Sequence, residues 1–161
     1  MTIDVTPPDE EVATVRLAFP PEPRLLGTVR LVVGALARQA GVDSEGVEDL
    51  KVAVSETCAV AINETVRAGL RAPIELELID DRAGGRFGVE VRDRAPEPAG
   101  SLALPSDEAL ELDDRQFGLA LAGALVNDLK SEPREGGGHR VAFWRYHDTP
   151  DDAAPDGPLG G

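Results

Sequence analysis

What is scarce in this sequence excludes several classes of protein. A single cysteine, Cys58, can form neither an internal disulfide nor a cysteine metal site, which points to the cytoplasm as the compartment. Aromatic residues make up 4 % of the chain and no segment carries a basic stripe. Direct nucleic-acid binding is therefore not expected, because phosphate contacts need clustered Lys and Arg. No apolar run approaches the roughly 20 residues that cross a bilayer. The start, MTIDVTPPDEE, has no basic region followed by an apolar one, so no signal peptide is expected. The positive charge that is missing is replaced by an excess of acid, with a formal net charge of −14. Eight of those negatives are Asp4, Asp9, Glu10, Glu11, Asp148, Asp151, Asp152 and Asp156, in ends with no basic residue. Residues 1–11 and 147–161 accordingly read as disordered, solvated acidic tails around one domain at 12–146.

Within that domain the apolar spacing alternates between strand and helix periods. Val12, Val15, Leu17 and Phe19 read as a strand stopped by Pro20-Pro21. From Arg24 to Ala40, Leu25, Val29, Val32, Val33, Leu36 and Ala37 share a helix face that Gly41 closes. A second helix starts at an Asp43 or Ser44 cap and ends at Gly69, with Val47, Leu50, Val54, Cys58, Ala61 and Ile62 inward. The hairpin IELELI–DRAGG–RFGVEV follows. Residues 94–114 read as a long loop. A third helix over about 115–129 presents Phe117, Leu121, Leu125 and Leu129. A short strand from Leu129 and the strand HRVAFWRY flank the turn EGGG, with Phe143 and Trp144 on opposite faces. The expected fold class is α/β, an α+β two-layer sandwich whose mixed, mainly antiparallel sheet is covered on one face by helices.

The ordered blocks VEDLKVAVSETCAVAIN, VEVRDRA, FGLALAGALVNDL and EGGGHRVAFW resemble the histidine-kinase-like (GHKL) ATPases, and most closely their small serine-kinase anti-sigma factors. The resemblance spans about residues 12–146. It implies that Glu56 is the catalytic glutamate that orients the attacking hydroxyl. It also implies an asparagine one turn later that helps hold the Mg²⁺ bridging the ATP phosphates. That position is Val60, which offers no oxygen, so no metal ligand is assigned there. Asn63 lies one turn further along the same side. The family's Asp-x-Gly block, which reads adenine, is Asp93-Arg94-Ala95 here; alanine strains this loop if the backbone there has positive φ. The phosphate-binding Gly-x-Gly-Leu is Gln116-Phe117-Gly118-Leu119, and Gly137-Gly138-His139 stands for the final Gly-Gly-Thr. Residues 94–114 fall where the family has its ATP lid. Arg30 aligns with an arginine of the family's partner-binding surface.

Each of these residues also has a plain structural reading. Glu56 and Asp93 fit as solvated carboxylates, Arg30 as a solvated arginine, Cys58 as core, and His139 and His147 as turn or surface residues. The resemblance implies an anti-sigma factor in transcription regulation and the stress response. Such a protein works as a homodimer, sequesters an alternative sigma factor and is countered by an anti-anti-sigma protein. Its cofactors are ATP and Mg²⁺, but the altered site leaves the enzyme question open, with weak, largely Mg²⁺-independent nucleotide binding and little phosphoryl transfer expected. The alternative is an active Ser/Thr kinase of the antagonist, with Asn63 or a water replacing the missing ligand. A free-standing regulatory domain of a phosphatase–kinase switch ranks last.

Overall fold

In the computed structural model, residues 1–9, 12–96 and 114–147 are described. The strands are β1 (Thr2–Asp9), β2 (Val12–Phe19), β3 (Ile74–Asp81), β4 (Arg86–Arg92), β5 (Asn127–Pro133) and β6 (His139–Tyr146). They form one sheet in the order β1-β2-β3-β4-β6-β5. A 3-10 turn at Pro23–Leu25 leads into α1 (Leu26–Gln39), followed by α2 (Ser44–Arg67) and, later, α3 (Asp114–Leu125).

Every neighbouring strand pair is antiparallel, so the described sheet is not mixed. The cause is the even number of helices between β2 and β3. The chain runs back along α1 and forward along α2, so β3 enters from the end where β2 left. The remaining neighbours are β1–β2 and β3–β4, which are consecutive in the chain, and β6, which pairs with both β4 and β5.

Alternation along the strands sends Leu17, Phe19, Ile74, Leu76, Leu78, Phe87, Val89, Val91, Val141 and Phe143 into one core beneath the helices. Val29, Val33 and Ala37 of α1 meet them there, with Leu50, Val54, Cys58 and Ile62 of α2. Burial pushes the Cys58 thiol up to about 12, so this cysteine is an inert core group. Asp43 caps α2, its side chain accepting from the Gly46 N–H at 2.8 Å. Gly41, at φ +96°, turns the chain out of α1, as expected.

The other sheet face is laced with charge. Glu77 takes Arg16 at 3.3 Å and Arg92 at 3.2 Å, while Arg140 bridges Glu90 at 2.7 Å and Glu132 at 3.4 Å. Trp144 lies on this face under the Arg86 guanidinium, 3.9 Å from ring centroid to cation. Its strand neighbour Phe143 is buried on the opposite, helix-covered side.

Three expectations need correction. The N-terminal tail is, over Thr2–Asp9, an edge strand: Ile3 pairs with Leu17 and Val5 with Val15. Thr2 to Thr6 already alternate polar and apolar; the Pro7-Pro8 pair falls within the register shift between Thr6 and Asp9, on an outermost strand. The third helix ends at Leu125, four residues early, because β5 already starts at Asn127, and Asp128 takes φ +54°. The facing of that helix also differs. Gly118 and Ala122 are its buried residues, whereas Phe117 is 57 % exposed. Small residues let α3 approach α2 closely, which leaves the large ring at the rim. Most of the 94–114 loop and residues 148–161 of the C-terminal tail lie outside the described residues.

Candidate functional site

The residues singled out from the sequence divide between two places. The first is one side of α2. Glu56, Val60, Asn63 and Arg67 recur at helical spacing and, with Glu64, line a cavity of about 250 Å³. Asp114, Arg115 and Phe117 of α3 complete it. The two helices nearly touch at its base, since a Cβ placed on Gly118 would lie 3.3 Å from Val60 Cγ2 and 3.4 Å from Glu56 Oε2. Gly118 thus works as a packing glycine between the helices. Leu119, beside it, packs on the core and Gln116 is exposed.

The second place is the crossing of the β4 end with the turn before β6. Asp93 is 5 % exposed, so it is not a solvated carboxylate. Its Oδ1 accepts from the N–H groups of Ala95 at 2.9 Å and His139 at 3.2 Å. Its own N–H donates to the His139 carbonyl at 3.1 Å, and Arg134 Nη1 donates to its carbonyl at 2.8 Å. Gly138, at φ +94°, crosses so tightly that a Cβ there would sit 2.1 Å from the Asp93 oxygen. Gly137, at φ +101°, has open space around it. Asp128 is the one non-glycine with positive φ among the described residues, so Ala95 carries no backbone strain of the kind expected. His139 is buried, its Nδ1 3.6 Å from Asp93 Oδ1, rather than a surface residue. Neither Asp93 nor Gly137 nor Gly138 lines the α2–α3 cavity.

Arg30 is likewise not simply solvated. Its Nη1 donates to Ser55 Oγ at 3.2 Å, and Ser55 in turn donates to the Lys51 carbonyl at 2.8 Å, which ties α1 to α2. The next residue, Leu31, is 73 % exposed.

Divalent metal does not fit the first place. The side chain one turn after Glu56 is a valine whose methyl faces Gly118, and Mg²⁺ requires near-octahedral oxygen coordination. Among the described residues no group of three His, Cys, Asp or Glu is arranged to hold a metal ion. The reading of the sequence overlooked Arg67 and Arg115. Arg67 was accessible from the periodicity of α2, four residues beyond Asn63; Arg115 joins the site only through the packing of α3.

This arrangement of three helices on an open antiparallel sheet, with a pocket beside the second helix, defines the histidine kinase-like class, and the chain belongs to the histidine kinase-like ATPase domain family, whose model matches residues 19–144. It is 28 % identical over 142 residues to the serine-protein kinase RsbW of Bacillus velezensis, covering 82 % of this chain and 84 % of that protein. It is 24 % identical over 151 residues to the protein of the same name from Bacillus subtilis strain 168, covering 84 % and 91 %. The fold is also similar to the crystal structure of the RsbU and RsbW domains of Rv1364c from Mycobacterium tuberculosis, with a TM-score of 0.59 at 19 % identity. That match covers 83 % of this chain and 32 % of the other. The resemblance to serine-kinase anti-sigma factors is thus supported beyond the motifs that suggested it. No helix among the described residues is long and apolar enough to cross a membrane.

Proposed function

We propose that this protein is an anti-sigma factor that sequesters an alternative sigma factor, is released by an anti-anti-sigma protein, and transfers phosphate weakly or not at all. The observation that carries the second half is the valine at position 60, whose Cγ2 lies 3.3 Å from where a Cβ on Gly118 would stand. Where the resemblance calls for a metal-ligating oxygen, the chain has a methyl group packed on the neighbouring helix. A kinase of this class needs a metal to neutralise charge developing on the transferred phosphoryl group. Glu56 lines the cavity, 3.4 Å from the Cβ position of Gly118, which supports reading it as the residue that would orient a hydroxyl.

Partner binding falls to the outer face of α1. Arg30 is held by Ser55 in a fixed orientation, and Leu31 adds exposed apolar surface beside it. An anchored arginine next to an apolar side chain is a favourable interface pair, because little rotamer freedom is lost on binding. A homodimer in the cytoplasm, with no direct nucleic-acid or membrane contact, completes the reading.

The test is a pull-down of the tagged full chain from its native cytosol, paired with a phosphotransfer assay on any captured Ser-bearing antagonist. Capture of a sigma subunit with transfer at the limit of detection is the expected result. Robust Mg²⁺-dependent phosphorylation would make the protein an active Ser/Thr kinase and defeat the proposal.

A further inference from the structure

The α2–α3 cavity carries cationic side chains of its own. Two guanidiniums line it, Arg67 from the end of α2 and Arg115 from the first turn of α3, with the Asn63 amide one turn before Arg67 on the α2 side. Three carboxylates, Glu56, Glu64 and Asp114, line it too, so the fixed charges do not simply add up to an anion trap. They are not equally available. Glu64 is nearly buried and lies 3.8 Å from Arg67, so each partly offsets the other. Asp114 sits in the first turn of α3, where the positive helix end offsets its charge. No carboxylate of the described residues lies within 4 Å of the Arg115 guanidinium, which is half-buried and carries five donors in a planar fork. Among the described residues it is the cavity guanidinium without an ion pair.

We infer that Arg115, assisted by Arg67 and Asn63, binds the polyphosphate of a nucleotide directly and without a divalent metal. The inference rests on reading this fold as nucleotide-binding and is separate from what the protein captures. A guanidinium fork pairs with two phosphate oxygens at once, and it stands beside the wall where Val60 denies a metal its ligand. Binding of this kind neutralises phosphate charge without the metal ion that phosphoryl transfer in this class uses. It therefore goes with a nucleotide that is held rather than turned over. A nucleotide there touches both α2 and α3, and occupancy would fix the two helices against each other.

The experiment is calorimetric titration of the full chain with ATP and, separately, with inorganic triphosphate, each in EDTA and in excess Mg²⁺. ATP affinity should differ by less than about threefold between EDTA and Mg²⁺, and Arg115→Ala should weaken both ligands by about tenfold or more. Arg115→Lys should recover part of that loss, because a point charge replaces the fork. The circular dichroism of both variants should match the parent. A strict need for Mg²⁺, ATP binding indifferent to Arg115, or no binding of either ligand at millimolar concentration would each overturn the inference. Capture of the sigma subunit, measured on the same preparations, reports on the proposed function independently.

Discussion

Gly138→Ala should be among the most damaging single-methyl additions in this protein, and the structure allows its cost to be worked out. The new Cβ would lie 2.1 Å from the Asp93 carbonyl oxygen and 2.8 Å from Arg94 Cα, both backbone atoms that no rotamer change can move. Relief requires the β4 end and the turn before β6 to separate by roughly 1 Å, well beyond the tolerance of close-packed atoms. That separation strains the hydrogen bonds joining Asp93 to His139 and Arg134, each worth about 1 kcal/mol net. The left-handed backbone at φ +94° adds about 1 kcal/mol for alanine. The total is about 3–4 kcal/mol, a large share of a stability of about 5–15 kcal/mol. Two neighbours serve as controls: Gly136 at φ +86° and Gly137 at φ +101° have open space where a Cβ would go. Alanine there should cost only the backbone term, about 1 kcal/mol. Urea unfolding of the three variants, compared at constant m, separates the contributions. Equal midpoints for Gly137→Ala and Gly138→Ala would refute the claim that close approach to Asp93 sets the price.

Four further outcomes are expected. Val60→Asn should introduce Mg²⁺ dependence into ATP binding before any gain in turnover, read by titration with and without EDTA; Mg²⁺-indifferent binding by this variant would show that position 60 is not the metal's. Arg30→Glu should cost sigma or antagonist binding about tenfold or more while thermal unfolding changes little, and unchanged affinity would return Arg30 to a purely structural tie between α1 and α2. Burial pushes the Glu90 carboxyl up, but the hydrogen bond from Arg140 and the charges of Arg92 and Arg140 outweigh it, so its folded value lies below the usual one. Its contribution is full above the unfolded value of about 4.3 and lost as pH falls towards the folded one; Tm should drop below about pH 4, and less steeply in Glu90→Gln. Sedimentation at micromolar concentration should report a dimer, and a strict monomer with and without ATP would count against capture of one sigma subunit by two copies.

The periodicity of α2 and the alternation of β2, β3, β4 and β6 were legible in the residues, because each element buries one face and the apolar spacing records which. The same patterns showed that Glu56, Val60 and Asn63 share a helix side; that a metal ligand is expected at position 60 came from the family resemblance alone. Contacts between elements were not legible. The alternation of Thr2 to Thr6 was overridden by the acids and prolines beside it, since a strand at a sheet edge needs few apolar residues to be held by its neighbour's hydrogen bonds. Phe117 was placed on the apolar face by its spacing with Leu121, Leu125 and Leu129, whereas α3 approaches α2 through Gly118 and Ala122, a choice made by interhelical distance and not by hydropathy. Arg115 enters the cavity, Asp93 becomes a buried strap and Arg30 finds Ser55 only when distant segments are brought together. Sequence by itself determined most of the elements and the placing of Val60 one turn after Glu56; the packing of α3 on α2 decided which charges face the cavity, because that geometry depends on side-chain volumes from both helices at once.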